Sequence, residues 1–345
     1  MNLLFTVMER FAPEAMEIIG VRYRVLRQII HGQPVGRRQL VKALGYSERT
    51  VRGEIDLLRE RGAIYSTPAG IYLTPDGEEM LREIDELIPL LFNLQSLADQ
   101  VQARFNLDEV ILVPGDSYYD PLAKKDLGRA AARYLRKALQ PGSIMAVTGG
   151  ATLAEMAEAI GEGINLPDVL VVPARGGLGE EMEQQAGTIA AKIARAVGGQ
   201  YRLLHIPENL EENTAEILKK DIHVASMVET IKASRILFHG IGHAQEMANR
   251  RGLGPQARDF LNQRHAVGEA LRYYFDEKGT IVYEVPGIGL ELADLDKIER
   301  VVAVAGGSNK AAAIESVLRS GKENVLISDE GAARSIIRIT ERQEG

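Results

Sequence analysis

The sequence predicts an α/β protein with three parts: an N-terminal winged helix-turn-helix domain, a helical linker, and a doubly wound, mostly parallel sheet. Three observations predict this. A basic segment near the N-terminus carries two short helical patterns around a glycine turn, a helical repeat follows, and apolar runs of strand length then alternate with helical stretches. We expect the parts to span residues 1–88, 89–106 and 107–345.

The composition excludes several classes of protein. The 345 residues include no cysteine, which excludes disulfides, thiolate catalysis and cysteine metal sites. No apolar run reaches the roughly 18 residues of a membrane span, so we expect no membrane partner. Residues 1–19 contain acids and lack a basic n-region. We therefore expect no secretory signal and a cytoplasmic location.

The charge is distributed unevenly along the chain. Residues 21–62 contain ten Arg or Lys and four acidic residues, a net charge of +6, whereas the whole chain carries −7. An acidic body with one basic module indicates a polyanionic partner at that module only.

The basic module begins with two helical patterns, at residues 36–44 and 47–60. Apolar side chains recur at spacings of three and four in both. Gly45 permits a tight turn between them, and Ser47 is a suitable N-cap for the second helix because its hydroxyl can accept a backbone N–H. Helix, turn and helix in this order are typical of a motif that places its second helix in the major groove of DNA.

The segments on either side complete a winged domain that would bind operator double-stranded DNA. Residues 20–32 predict a preceding helix, and the alternation around residues 68–70 predicts a hairpin, the wing. A guanidinium can bond bidentately to guanine, so the arginines of the second helix are candidates for base reading. Those before it are candidates for phosphate contacts. The predicted DNA-binding residues are Arg37, Arg38, Ser47, Arg49, Thr50 and Arg52. The alternative is an ordinary solvated face.

The pattern of the linker segment predicts a helix with an apolar stripe. Pro89 would kink this helix or divide it in two. The apolar residues recur every three or four positions: Ile84, Leu87, Leu91, Leu94, Ala98, Val101 and Phe105. The stripe either forms a dimerisation seam or docks on the chain's own C-terminal body. Because paired half-sites are read by symmetric dimers, we expect a homodimer or homotetramer.

The C-terminal part predicts a doubly wound sheet, since its strands are apolar on both faces and alternate with helices. The predicted strands are 109–114, 143–149, 168–174, 235–242, 279–287, 300–307 and 324–329. In such sheets, ligands bind beyond the carboxyl ends of the strands.

The segment at the end of one predicted strand has the features of an anion-binding site. Residues 148–152, Thr-Gly-Gly-Ala-Thr, follow an apolar run and open a helix. Glycines let the backbone approach a ligand, and a helix N-terminus presents unpaired N–H groups, so a phosphate is the expected guest. The loop is neither GxGxxG nor followed by a Walker lysine. The alternative is a turn that only packs a helix on a strand.

Cationic side chains at other strand ends indicate a ligand with two phosphates. Arg175 directly follows one strand, and Lys310 follows two glycines after another. Arg250 and Arg251 lie in a predicted loop. Glu269 precedes an aromatic cluster and could accept hydrogen bonds from sugar hydroxyls.

Two further patterns are given no ligand-binding role. His239 and His243 are four residues apart, but the glycines between them argue against a helix, so no metal site is expected. Asp329 and Glu330 lie at a strand end, where a helix cap is favoured over an acid/base pair.

In order along the chain, the segments "PVGRRQLVKALGYSERTVRGEIDLLRERG", "VTGGATLAEMAE", "VPARGGLGEEMEQQAGTIAA", "HGIGHAQEMANRRG" and "VAVAGGSNKAAAIESVL" closely resemble SorC-type bacterial transcriptional regulators. The resemblance implies a repressor of an operon for triose-phosphate glycolytic enzymes. It also implies a C-terminal domain similar to phosphosugar isomerases and deaminases that serves as a sensor. The implied inducer is fructose 1,6-bisphosphate, and the resemblance implies no cofactor.

The resemblance also implies the effector contacts, of which Ala151 departs from the pattern expected of relatives. A hydroxyl residue is expected there, so in this chain only the backbone N–H can contribute. The implied contacts are Gly149, Gly150, Ala151, Thr152, Arg175, Gln185, Arg250, Arg251, Glu269 and Lys310.

Two other classes of function remain open from the residues. One is a phosphosugar isomerase or deaminase with an accessory DNA-binding domain, and the other is a constitutive DNA-binding protein with a vestigial cleft. Against an enzyme, no base is paired with a nucleophile near the strand ends, where Glu269 and Asp329 are the candidates. We therefore assign no catalytic residue and expect no enzymatic activity.

Overall fold

In the computed structural model, the described residues are 10–161, 165–178 and 181–344. The chain divides into two units, Met1–Gln95 and Ser96–Gly345. The predicted linker is therefore shared between the units. Residues 1–9, which belong to the predicted N-terminal domain and to the segment expected to carry no secretory signal, lie outside the described residues.

The first unit is a winged helix-turn-helix. The left-handed conformation of Gly45 (φ 69°) ends the second helix, and the Ser47 hydroxyl accepts the Thr50 N–H at 3.1 Å to cap the third, as predicted. The helices are α1 Pro13–Gly32, α2 Arg37–Leu44, α3 Glu48–Glu60, α4 Pro75–Asp85 and α5 Ile88–Leu91. Strands β1 Ile64–Thr67 and β2 Gly70–Leu73 pair antiparallel and form the predicted wing.

The core of this unit is formed by one apolar face from each element. The predicted spacings place these faces correctly, because residues three or four apart lie on the same side of a helix. The side chains that this core buries include Leu26, Ile29, Leu40, Val51, Ile55, Leu58, Ile71 and Leu81.

Gly77, in the first turn of α4, permits the closest backbone approach in this core. A Cβ there would lie 1.9 Å from the carbonyl oxygen of Ala63, so we expect Gly77→Ala to destabilise the unit by about 1–3 kcal/mol. Gly53→Ala in α3 is the control, since its Cβ would meet no atom within 4 Å. Alanine in a helix interior should there stabilise by about 0.5–1 kcal/mol. Chemical denaturation of both variants measures the difference, and equal effects would contradict this packing.

The predicted linker helix is divided, which is one of the two outcomes expected from Pro89. Helix α5 is followed by Asn93 with a positive φ of 54°, and α6 (Gln95–Phe105) then begins. Ile88 packs in the core of the first unit, and Leu94 and Val101 are fully buried within one chain. Only part of the stripe is covered within one chain, since Leu94, Ala98 and Val101 are buried whereas Ile84, Leu87, Leu91 and Phe105 are partly exposed, so the dimerisation seam stays a prediction. The homo-oligomer stays a prediction.

The second unit contains a seven-stranded parallel sheet in the order β3-β13-β12-β7-β4-β5-β6. Its strands are β3 Glu109–Val113, β4 Ile144–Val147, β5 Leu170–Pro173, β6 Gln200–Tyr201, β7 Ile236–His239, β12 Arg300–Val304 and β13 Val325–Asp329. Valine, isoleucine and alanine on both strand faces are buried because helices cover the sheet.

The helices of this unit follow the alternation that the sequence predicts. They are α6, α7 Pro121–Ala138, α8 Ala151–Ala159, α9 Ala186–Ala196, α10 Glu212–Lys219, α11 Ile222–Lys232, α12 Ala244–Arg250, α13 Pro255–Gln263, α14 Ala311–Leu318 and α15 Glu330–Glu344. Within the described part of the chain, no helix combines the length and apolar character that crossing a bilayer requires.

A second, antiparallel sheet was not predicted. It contains β8 Gly242–His243, β9 Ala266–Ala270, β10 Tyr273–Asp276 and β11 Ile281–Glu284, in the order β11-β10-β9-β8. Residues 279–287 were expected in the parallel sheet, but β11 is instead the edge strand of this one. A short apolar run does not reveal which sheet it joins, because pairing partners are set by tertiary contacts.

The winding of the parallel sheet reverses between β4 and β7. From β4 the chain continues to β5 on one side, and from β7 it continues to β12 on the other. The connections at such a point leave a crevice outside the carboxyl ends of the strands. A cavity lies at this point of the structure.

Candidate functional sites

The cavity at the switch point has a volume of about 500 Å³ and lies at the carboxyl ends of β4, β5, β7 and β12. Nine of the ten predicted effector contacts line it, and one does not, Arg251. The predicted residues that line it are Gly149, Gly150, Ala151, Thr152, Arg175, Gln185, Arg250, Glu269 and Lys310.

One wall of the cavity is the N-terminus of α8. A Cβ on Gly149 would lie 2.6 Å from the carbonyl oxygen of Gln184, and the N–H of Gly150 donates to that oxygen at 2.8 Å. The Gly150 N–H is thus used within the chain. The N–H groups of Ala151 and Thr152 belong to the first turn, which an α-helix leaves without internal acceptors, so they can receive an anion.

The second glycine loop, Gly306–Lys310, resembles the first in sequence but already has its acceptors. The N–H of Gly307 donates to Asp329 at 2.8 Å, and the N–H of Ser308 donates to Asp116 at 3.0 Å. Carboxylates of the chain itself therefore occupy this loop. Despite its sequence similarity, this loop does not offer a second anion site, and from it only Lys310 lines the cavity.

Two lysine side chains also line the cavity. Lys310 is joined by Lys124 of α7, which the sequence analysis missed. Burial lowers the pKa of Lys310; Glu246 opposes this effect, and the charges of Lys124 and Arg250 add to it. Several cations therefore lie close together, and a phosphate group between them would relieve their repulsion.

The floor of the cavity is a buried network of two arginines and two glutamates. Arg175 hydrogen-bonds to Oε1 of Glu208 and lies 3.8 Å from Oε1 of Glu269. Arg251 donates to the same two oxygens, at 2.9 and 2.8 Å, and to the Tyr274 hydroxyl at 3.3 Å. The guanidinium charges balance the two carboxylates, as buried ions require.

This network changes the role assigned to Arg251. Its side chain is fully buried and does not line the cavity, so it positions the floor carboxylates instead of contacting a ligand directly. The predicted loop is also wrong: Arg250 is the last residue of α12, and Arg251 is its C-cap. Arg250 is exposed and lines the cavity.

Glu269 stays ionised at the cavity floor. Burial alone would raise the pKa of its carboxyl group, but the guanidinium groups of Arg251 and Arg175 outweigh burial and hold the pKa below its ordinary value. The backbone N–H of Arg272 also donates to Oε1 at 2.7 Å. A permanent carboxylate at this point can accept hydrogen bonds from a ligand.

Two residues of the site could not be found from local sequence patterns. Glu208 follows Pro207, whose segment pairs with Gly177 beyond β5, and this pairing alone brings Glu208 to the floor. Gln185, which the family resemblance implied, is the N-cap residue of α9 after a 3-10 turn at Met182–Gln184. Part of the neighbouring loop, residues 179–180, lies outside the described residues.

The structure also shows the surroundings of the two histidines and Asp329, which were predicted to have no ligand-binding role. His239 is buried at the end of β7, where burial lowers its pKa to about 4, and His243 is exposed. Among the described residues, no group of three or more His, Asp or Glu side chains could hold a metal ion. Asp329 accepts the Ala332 N–H at 2.8 Å, which confirms the predicted helix cap over the acid/base alternative.

In the first unit, the predicted DNA-binding residues form a candidate nucleic-acid interface. All six are exposed at the starts of α2 and α3: Arg37, Arg38, Ser47, Arg49, Thr50 and Arg52. The Ser47 hydroxyl is already used as the cap of α3. Arg59 of α3 donates to Ser66 of the wing at 3.0 Å and so fixes the wing beside this helix.

A winged helix-turn-helix unit joined to a doubly wound domain with a cation-lined cavity defines a ligand-controlled transcription regulator. Comparison with known families agrees: residues 91–338 match the Sugar-bind family of sugar-binding domains, and residues 18–88 match CggR_N, the CggR N-terminal DNA binding domain. This chain belongs to the family of the central glycolytic genes regulators, among the SorC-type regulators.

Individual relatives support this assignment over nearly the whole chain. The Central glycolytic genes regulator of Priestia megaterium is 39% identical over 98% of this chain and 99% of its own length. The regulator of the same name from Bacillus subtilis is 37% identical, with the same coverage. A crystal structure of a SorC family transcriptional regulator from Enterococcus faecalis is 36% identical, with a TM-score of 0.66, and covers 70% of this chain and 100% of that one.

Proposed function

We propose that this protein represses a glycolytic operon by binding operator double-stranded DNA, and that fructose 1,6-bisphosphate releases it. The names of the relatives support the first part. The observation on which the second part depends is the cavity itself, which combines the N-terminus of α8, the cations Lys124, Lys310 and Arg250, and the carboxylate of Glu269. Phosphates suit the first two features, and sugar hydroxyls suit the carboxylate.

Release requires that the effector bind the DNA-incompetent state more tightly than the DNA-bound state. A coupling free energy of about 1–3 kcal/mol would change operator affinity roughly 5–150-fold. In this proposal a homodimer or homotetramer reads paired half-sites, with Arg49 and Arg52 at base edges and Arg37 and Arg38 at phosphates.

The contacts of the acidic candidates favour a sensor over an enzyme. Glu269 is held by two guanidinium groups that lower its pKa, so it is a poor proton acceptor at neutral pH. Asp329 accepts hydrogen bonds from the N–H groups of Ser117, Gly307 and Ala332 and does not line the cavity. Neither carboxylate is therefore suited to act as a general base in the cavity.

Operator release is the direct test. Purified protein would be titrated onto a fluorescent operator fragment, selected from genomic DNA, with and without fructose 1,6-bisphosphate. We expect the bisphosphate to weaken binding in a concentration-dependent way, and inorganic phosphate at the same ionic strength to have little effect. Operator binding that is untouched by the bisphosphate at saturating concentration would refute its role as inducer.

Lys310→Ala should weaken the response without impairing DNA binding. Loss of a cation that contacts phosphate is expected to lower affinity for fructose 1,6-bisphosphate about 10–100-fold, because hydrogen bonds to charged groups are among the stronger ones. Calorimetry measures the affinity, and the operator titration measures the release. Lys297→Ala, which removes an exposed lysine outside the cavity, is the matched control. Equal affinities for the two variants would exclude Lys310 from the site.

A further inference from the structure

Glu208 contributes a buried carboxylate to the cavity floor. It is not among the predicted effector contacts. Its residue is 2% exposed, and its backbone is fixed because its N–H donates to the Gly177 carbonyl at 2.9 Å. The close packing of these segments requires glycine in the loop after β5, because a Cβ on Gly176 would lie 2.5 Å from the Ile206 carbonyl oxygen. The side chain of Glu208 is therefore held at a defined place in the cavity wall.

The two carboxylate oxygens of Glu208 differ in their hydrogen-bond partners. Oε1 accepts hydrogen bonds from both Arg175 and Arg251. Oε2 is buried and has no hydrogen-bond partner in the described part of the chain. An ionised carboxylate can accept about four hydrogen bonds, and a buried acceptor without a donor is costly, so Oε2 calls for a donor from outside the chain.

The charge around Glu208 defines what that donor can be. A phosphate oxygen is an acceptor and would be repelled by the carboxylate. An ammonium group would add a positive charge to a network in which Arg175 and Arg251 already balance Glu208 and Glu269. A hydroxyl group donates a hydrogen bond and adds no charge, so it satisfies Oε2 without disturbing the balance.

We propose that Glu208 is a specificity-determining residue that accepts, through Oε2, a hydrogen bond from a hydroxyl group of the effector. The inference rests on the proposed function and deepens it: the cavity selects a bisphosphate that carries hydroxyls between its phosphates. A site built to bond a hydroxyl rejects the analogue without it, because its buried acceptor is then unpaired.

A comparison of two ligands in two proteins tests this. Calorimetry would measure the dissociation constants of fructose 1,6-bisphosphate and 1,6-hexanediol bisphosphate, which carries the same phosphates and no hydroxyl. We expect the Glu208→Ala variant to reduce the preference for the sugar bisphosphate about 10–100-fold relative to the unaltered protein. The ratio of the two constants cancels any general change in cavity charge, because both ligands carry the same phosphates.

A charge-matched control and a structure of the unaltered protein complete the test. Glu183→Gln removes one exposed carboxylate beside the cavity and should leave the preference unchanged. A crystal structure of the unaltered protein with fructose 1,6-bisphosphate should place a ligand hydroxyl within about 3.2 Å of Oε2. That measurement does not depend on how well Glu208→Ala folds.

The outcomes separate the two proposals. If the sugar bisphosphate does not bind the unaltered protein at all, the proposed function fails. If it binds, but the preference survives Glu208→Ala or no hydroxyl lies near Oε2, the role of Glu208 is overturned and the effector assignment stands.

Discussion

Replacing Arg251 with methionine is expected to lower the free energy of unfolding by about 3–5 kcal/mol. The guanidinium joins Glu208 and Glu269 in the interior, and its removal leaves two carboxylates with Arg175 as the remaining buried cation of the network. Chemical denaturation followed by circular dichroism measures the change. Arg250→Met, at the neighbouring exposed position, is the control and should stay within about 0.5 kcal/mol of the unaltered protein.

The effect of Arg251→Met should also depend on pH. The pKa of Glu269 is lowered in the folded protein, so its ion pairing stabilises the fold at pH values above its ordinary pKa of 4.5. That stabilisation is lost as the pH falls through the lower, folded pKa. The gap between the variant and the unaltered protein should therefore be full at neutral pH and narrow in acid. A gap that is constant from pH 7 to pH 3 would show that packing, not charge, is lost.

The first unit was predictable because its determinants are close together in the sequence. The cap at Ser47 acts over three residues, the left-handed Gly45 acts locally, and the spacing of Val51, Ile55 and Leu58 defines a helix face directly. The linker was harder, since the same apolar spacing serves a seam between chains or packing within one chain. The burial of Leu94, Ala98 and Val101 within one chain accounts for part of the stripe, and the seam stays a prediction.

The site was predictable where its groups directly follow strands, as Arg175 does after β5. Two glycine loops of similar sequence had opposite outcomes, because Asp329 and Asp116 reach the second loop from distant parts of the chain and occupy its N–H groups. Glu208 and Lys124 come to the cavity through tertiary packing alone. No local sequence pattern indicates such contacts. The sequence therefore identifies the glycine loops but not the groups that accept hydrogen bonds from their N–H groups.

Gly149→Ala should abolish the response to fructose 1,6-bisphosphate while leaving operator binding intact. The new methyl group would lie 2.6 Å from the Gln184 carbonyl oxygen and 3.2 Å from the Ala186 nitrogen, both backbone atoms that cannot rotate away. Either the 148–152 loop or the turn before α9 must shift, and the hydrogen bond from Gly150 to Gln184 is then lost. Both segments line the cavity, so we expect affinity for the bisphosphate to fall at least about 100-fold.

The control for Gly149→Ala is Gly254→Ala, because a Cβ at Gly254 would meet no atom within 4 Å. That variant should bind and release operator DNA like the unaltered protein. In Gly149→Ala, the operator should be bound with unchanged affinity and stay bound at bisphosphate concentrations that release the unaltered protein. If the variant still released DNA normally, the α8 N-terminus would not be the phosphate site, since no phosphate could keep its contacts there after such a displacement. The close approach of Gly149 to the Gln184 carbonyl fixes the start of α8, so a single methyl group at Gly149 displaces the amides of Ala151 and Thr152 that we propose bind phosphate.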